Sequence, residues 1–233
     1  MKVYAVGVGP GSPKYVTEYV KEIIQNCDIV IGYKYTLKTI EDLILEKEIH
    51  EITMKNQEEV YQSIKEKLSE KTLVVPFTGD VNFSESEVVD RLIEIFGDVE
   101  IIPGISSIQV AASKAKIPLD KSKVITMHIS TSIEEKKLEL QKALIDGYNV
   151  VLVPRPWPNV PEKHFMPSEI AIYLKKNGFD TSKMMVHVFE LLTTENETSF
   201  EGMVSDLEGR EFSDLSVIVF NQSKLESYFG FKD

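Results

Sequence analysis

Residues 3–17 read VYAVGVGPGSPKYVT. Val3, Tyr4, Ala5 and Val6 form a short apolar run of strand-forming residues. Gly7, Gly9, Pro10 and Gly11 follow, a turn in which backbone can approach a ligand closely. Beyond it Val16, Tyr19, Val20, Ile23 and Ile24 recur at helical spacing, so a helix is predicted over 17–25. Strand, glycine turn and helix in immediate succession can hold a nucleotide-like ligand beside the carboxyl end of a strand. The turn alone is equally compatible with a tight bend that binds nothing.

A dinucleotide fingerprint is the obvious reading of this turn, and the residues argue against it. G-x-G-x-x-G requires a third glycine where this chain has Ser12. Pro10 removes an amide from the loop that would cradle a pyrophosphate. A Rossmann site also places an acid at the end of the second strand, about 20 residues on; here the strand predicted over 29–31 runs into Gly32 and Tyr33. No Gly-Lys-Ser/Thr follows, which removes a P-loop as well. A nicotinamide oxidoreductase is disfavoured on the same grounds.

Working outward, strand and helix patterns alternate. Leu37, Ile40, Leu43 and Ile44 mark a helix, 49–52 a short strand, and Val60, Ile64 and Leu68 another helix. Residues 72–77 are a continuous apolar strand of the kind buried on both faces. Val88, Val89, Leu92, Ile93 and Phe96 stripe the next helix, 99–102 form a strand stopped by Pro103 and Gly104, and a small-residue helix spans 106–115. This βα alternation predicts a mostly parallel sheet. KIPLDK at 116–121 reads as a linker, giving an N-terminal α/β domain at 1–117 and a C-terminal α/β domain at 118–233. The second half carries predicted strands at 124–127, 149–153, 184–189, 197–202 and 215–220, with helices at 133–146 and 168–177, the latter stopped by Gly178. Its strands follow one another more often, so a mixed sheet is expected. Residues 154–167 hold five prolines and can be neither helix nor central strand. A frayed tail is expected at 228–233.

Composition narrows the function. A net charge of −11 argues against a nucleic-acid binder, which would need a basic face. Cys27 is the only cysteine, so an intrachain disulfide and a thiolate metal cluster are excluded. His50, His164 and His187 show no metal-ligand spacing. Residues 1–6 are too short an apolar run for a signal peptide, and no run approaches the roughly 20 residues of a membrane span. A cytoplasmic protein without a metal, nucleic-acid or membrane partner is expected.

Three loops follow apolar strands in the first half, at 7–13, 78–84 and 103–107. In a parallel sheet such loops share one edge and can converge on one ligand. Asp80 offers a carboxylate or merely a turn; Ser106 and Ser107 offer hydroxyls or merely a helix cap. His128 is either an ordinary strand histidine or, with its near-neutral pKa, a group for a proton shift. Arg155, beside Trp157, is either a surface charge or a bidentate partner for a carboxylate. Tyr33, Tyr35, Phe77 and Phe83 read as core rather than as a ring platform.

Together the three loops resemble the tetrapyrrole methylases, enzymes that use S-adenosylmethionine to methylate porphyrinoid precursors. VGVGPGSPKYVT is similar to the family's G-x-G-P-G-x-x-x-x-x-T signature, VVPFTGDVNF to its strand followed by G-D-P-x-F, and IIPGISSIQVAA to its P-G-[IV]-S-S segment. In the second half ITMHIS, MPSEIAIYLKKNG and VFELLTTENETSFEG resemble the branch that methylates ring carbon five of cobalt-precorrin-7. The resemblance implies two α/β domains with the cofactor in a cleft between them, a homodimer, a precorrin (corrinoid) substrate, and S-adenosylhomocysteine as product. By motif match Pro10, Gly79, Asp80, Val81, Ser106 and Ser107 would line the cofactor, Asp80 near its ribose or ammonium. Gly11 and Arg155 would touch substrate, and His128 would be the catalytic candidate. The chain departs from the pattern at Val81, usually proline; at Glu85, usually small; at Ile129 and Ser130, in place of Gly-Arg; and at Leu191, where Asn is common. Another precorrin as substrate, methylation of a protein side chain as in diphthamide synthesis, and a protein that binds without turnover are the alternatives.

Overall fold

The apolar run at 72–77 becomes β4 (Thr72–Phe77), the centre of a five-stranded sheet in a computed structural model that describes residues 2–67, 69–83, 86–157, 160 and 163–222. The other strands are β1 (Lys2–Gly7), β2 (Ile29–Tyr33), β3 (Glu48–Ile52) and β5 (Glu100–Ile102), in the order β3-β2-β4-β1-β5. Every pairing is parallel. Period-two alternation explains why both faces are apolar. Leu73, Val75 and Phe77 enter one cluster with Val3 and Ala5, whereas Val74 enters a second with Val6 and Val8.

Helices cover both faces. The predicted helix start at Thr17 holds: Thr17 caps α1 (Glu18–Gln25) by accepting the Val20 N–H at 3.3 Å. Val20 and Ile24 then pack on the cluster that contains Val6. The helix expected across 37–44 is split into α2 (Lys34–Thr39) and α3 (Glu41–Ile44), because Ile40 takes φ −117°, ψ 17°. On the other face lie α4 (Gln57–Lys67) and α5 (Ser86–Phe96), joined by the edge-to-face pair Tyr61 and Phe96 at 6.2 Å between ring centres. Leu68, Ser84 and Glu85, which bore on the sequence reading, lie outside the described residues.

The second sheet has the order β11-β10-β12-β7-β6, from β6 (Ser122–Thr126), β7 (Asn149–Val153), β10 (Met185–Glu190), β11 (Thr198–Met203) and β12 (Ser216–Phe220). It is mixed, as expected: β6 and β7 run parallel and the remaining neighbours antiparallel. α7 (Glu134–Ile145) and α8 (Pro167–Lys176) contribute Leu140, Leu144, Ile170 and Leu174 to one cluster with Val150, Leu152, Val186 and Ile218. Inside the proline-rich stretch a short ladder forms, β8 (Arg155–Pro156) against β9 (His164–Phe165), apart from the main sheet as proline demands. Part of that stretch, and residues 223–233 with the expected tail, lie outside the described residues.

The chain divides into compact units at Met1–Ser107 and Ile108–Asp233. The sequence reading places the boundary ten residues later, at the linker. The difference is the helix α6 (Ser107–Lys114), whose end has its contacts in the second unit. Lys114 forms a 2.5 Å ion pair with Glu197, and residues 114–116 line a hollow with β10 and β11.

Candidate functional site

Strands β4, β1 and β5 lie side by side, so the loops that leave their carboxyl ends are neighbours in space. They are also bonded to one another. The Gly9 N–H donates to the Gly79 carbonyl at 3.2 Å, and the Gly79 N–H returns a bond to the Gly9 carbonyl at 2.7 Å. Both glycines have positive φ, 79° and 75°, a conformation that costs other residues strain. The third loop is tied in by Asp80, whose Oδ2 accepts the Gly104 N–H at 3.1 Å and whose Oδ1 accepts the Asn82 N–H at 2.7 Å.

Glycine is required where these loops touch. A Cβ on Gly7 would sit 2.6 Å from both the Gly104 nitrogen and the Gly79 oxygen. One on Gly104 would strike the Gly7 and Gly79 carbonyl oxygens. The tight contact explains why three short sequences far apart in the chain, around Gly7, Gly79 and Gly104, carry glycine at matched places.

Most of the first-unit candidates therefore gather at one sheet edge. Pro10 and Gly79 are buried, Asp80 and Gly11 half-buried. Ser106 is 8% exposed and Ser107 opens α6; a Cβ on Gly79 would lie 3.7 Å from the Ser107 nitrogen. Val81 is placed differently from its neighbours. Its side chain is 1% exposed and belongs to the hydrophobic cluster of Phe77, Val89 and Leu92, so only its backbone faces the loop. Sequence reading treated Tyr35 as core, yet its hydroxyl donates to the Pro10 carbonyl at 3.4 Å. Burial pushes that phenol's pKa above its ordinary value. Nothing local to 33–35 signals this contact with a loop 25 residues away.

The second-unit candidates form a set of their own. His128 follows β6 and meets the Trp157 ring edge-on at 5.3 Å. Its backbone N–H donates to Thr126 Oγ1 at 3.1 Å. Arg155 is not a surface charge: it is 2% exposed. Its guanidinium lies 4.9 Å from the Trp157 ring centre and donates through Nη2 to the Ser130 carbonyl at 3.2 Å. A cation over an indole face and against a carbonyl recovers part of the cost of leaving water.

The loops of the first unit offer mainly acceptors. Backbone carbonyls, two hydroxyls and one carboxylate suit a cationic or hydroxyl-bearing ligand. Pro10 has no amide to give a phosphate.

A profile of the tetrapyrrole (corrin/porphyrin) methylases matches residues 2–208. The chain belongs to this family. A relative from Methanocaldococcus jannaschii, described as a probable cobalt-precorrin-7 C(5)-methyltransferase, is 32% identical over 222 residues, covering 94% of this chain and 97% of the relative. The cobalt-precorrin-4 C(11)-methyltransferase of the same archaeon is 32% identical over 141 residues, 57% of this chain and 53% of that one. Among solved structures, the precorrin-6Y methylase of cobalamin biosynthesis from Archaeoglobus fulgidus superposes with a TM-score of 0.68, at 22% identity over 96% of this chain and 98% of its own; that likeness speaks for the fold. The tetrapyrrole methylase fold thus spans the whole described chain, with the three bonded loops at the end of its first sheet. Among the described residues no helix is long and apolar enough to cross a membrane.

Proposed function

We propose that this chain is an S-adenosylmethionine-dependent C-methyltransferase of corrin biosynthesis that methylates ring carbon five of cobalt-precorrin-7. The observation that carries the methyl-donor site is the bonded junction of the loops at Gly9, Gly79–Asp80 and Gly104. The choice of ring carbon rests on the full-length likeness to the M. jannaschii relative. In this reading Pro10, Gly79, Asp80, the Val81 backbone, Ser106 and Ser107 hold the donor, and Gly11 lies where substrate would approach. The family resemblance further implies a homodimer working in the cytoplasm.

When bound, the donor supplies an electrophilic methyl group on a cationic sulfur. The protein's part is to hold and shield. Fixing donor and acceptor in line can supply roughly 7–11 kcal/mol of the barrier through effective concentration. Loops locked by backbone bonds and glycine contacts suit that task, since they do not have to be ordered by the ligand. Keeping water from the reacting pair protects the cationic sulfur, and it strengthens the contact of the donor's ribose or ammonium with the Asp80 carboxylate. His128, half-buried and braced by Trp157, is the side chain we assign to a proton shift on the substrate.

The test is incubation with labelled S-adenosylmethionine and a panel of late precorrins, with and without cobalt. Label should pass to cobalt-precorrin-7 and appear at carbon five. Transfer to a different precorrin would favour the second reading, a family member with another substrate, which the Ile129–Ser130 departure motivates. Absence of transfer to any of them would favour a protein that binds without turnover.

A further inference from the structure

The first loop is pinned at both ends and looser at its crest. On the near side the Val8 N–H donates to the Phe77 carbonyl at 2.9 Å, and Gly9 and Gly79 exchange two backbone bonds. On the far side the Ser12 carbonyl accepts the Tyr15 N–H at 3.0 Å, and Ser12 Oγ accepts the Lys14 N–H at 3.3 Å. Pro10 and Gly11 lie between these anchors. Proline fixes φ but leaves ψ to rotate, and glycine accepts nearly any φ. The peptide plane that joins them can therefore turn over with little movement of its neighbours. Turning it over exchanges the directions of the Pro10 carbonyl and the Gly11 N–H.

The Tyr35 side chain opposes that rotation. Its hydroxyl donates to the Pro10 carbonyl at 3.4 Å. Tyr35 stands on α2, whose Leu37 and Ile40 pack in the same cluster as Val6 and Val8 at the root of the loop. Tether and loop thus share one rigid base. The phenol is half-buried, and burial raises its pKa, which keeps it a donor throughout the neutral range. The peptide is trans, so the carbonyl and N–H of the plane point in opposite directions. Holding the carbonyl toward α2 turns the Gly11 N–H away from it. The bond is longer than most between a hydroxyl and a carbonyl, so the effect of losing it is several-fold rather than several orders of magnitude.

We propose that Tyr35 is a positioning residue: by holding the Pro10 carbonyl it fixes the Pro10–Gly11 peptide and presents the Gly11 N–H as a directed donor at an edge made mostly of acceptors. The fixed orientation is a property of the free protein; its value for binding rests on the methyl-donor reading above.

Tyr35→Phe removes the hydroxyl and keeps the ring. Tyr33→Phe is the control, because the Tyr33 hydroxyl donates to Gln57 Oε1 at 2.9 Å on the same edge of the sheet. In the ligand-free, full-length wild type the Gly11 amide should have an NMR order parameter near the rigid value of about 0.85, and in Tyr35→Phe it should fall below about 0.6. The Val8 and Gly9 amides should be unchanged. S-adenosylhomocysteine should bind Tyr35→Phe about fivefold more weakly in calorimetry. The KM for S-adenosylmethionine should rise by more than kcat falls, since the lost contact serves binding before it serves the reaction. Tyr33→Phe should match the wild type in order parameter and affinity. A Gly11 order parameter indifferent to Tyr35→Phe overturns the proposal. So does a looser Gly11 with unchanged affinity, which would leave the hydroxyl a structural contact only. The same losses in Tyr33→Phe would trace them to a general softening of the edge and overturn it as well. If the wild type binds no S-adenosylhomocysteine, the donor reading falls while the Gly11 measurement still decides whether Tyr35 holds the loop, so the two failures are distinct.

Discussion

Asp80 does two jobs that can be separated by substitution. Its carboxylate already accepts two backbone N–H groups, from Asn82 and Gly104, and so pins the second loop to the third. In the proposed function it also faces the charged part of the donor. Asp80→Ala removes both roles. It should cost about 1–2 kcal/mol of stability through the lost bonds and weaken S-adenosylhomocysteine binding by at least about tenfold. Asp80→Asn keeps an oxygen for one amide but loses the charge. It should recover most of the stability in a denaturant titration and little of the affinity in a calorimetric one. Affinity unchanged in Asp80→Ala would remove the residue from the site. Restored affinity in Asp80→Asn would reduce its role to holding the loops.

A second residue-level prediction concerns Leu191, where the family pattern commonly has Asn. Leu191 has φ 48°, in the left-handed region that Asn tolerates better than a branched side chain. The departure is therefore a strained position rather than a lost contact. Leu191→Asn should raise stability by on the order of 1 kcal/mol, read as a higher denaturant midpoint with an unchanged slope. A lower midpoint would mean that the leucine side chain contributes more by packing than its backbone costs.

At the scale of elements, much was legible and the failures have causes. The strands at 72–77 and 149–153 coincide with β4 and β7, because a strand buried on both faces must be apolar throughout. Helices announced themselves by their buried stripe, α5 through Val89, Leu92 and Phe96. Loop convergence was legible too, since it follows from strand direction and glycine placement. What escaped were effects set by partners distant in the chain. Ile40 breaks a helix that its spacing supports. Arg155 looks like a surface charge beside prolines until the fold buries it against Trp157. Tyr35 reaches Pro10 only in three dimensions. Glu197 is of this kind as well. It pairs with Lys114 at the end of α6 and accepts the Thr193 N–H at 2.6 Å, bracing a turn in which Thr193 has φ 69°.

Burial raises the pKa of Glu197, but the bonds from Lys114 and Thr193 outweigh it, and the net value lies below the ordinary 4.5. A folded pKa below the unfolded one contributes stability above about pH 4.5 that is lost as pH falls through the folded value. Glu197→Gln should therefore cost about 1–2 kcal/mol near neutrality, with the gap to wild type closing as pH falls below 4.5. Urea titrations across that range check it, and a gap that is constant with pH would place the effect in packing.

For the molecule as a whole, the methyl donor is proposed to act as a stabilising ligand of a family fold whose loops are already bonded together. A ligand that binds only the folded chain adds about 2.7 kcal/mol at 100 times its dissociation constant. For a cooperative transition in a chain of 233 residues, that corresponds to a rise of roughly 5–10 °C in melting midpoint. S-adenosylhomocysteine should give this rise, and NAD should give none at the same concentration. The contrast has a cause in the residues, since Ser12 replaces the third glycine, Pro10 withholds an amide, and β2 ends in Gly32 and Tyr33 without an acid for a ribose. Stabilisation by NAD with no effect of S-adenosylhomocysteine would mean that the bonded loops serve a dinucleotide after all, and the assignment of donor, reaction and substrate would fall together.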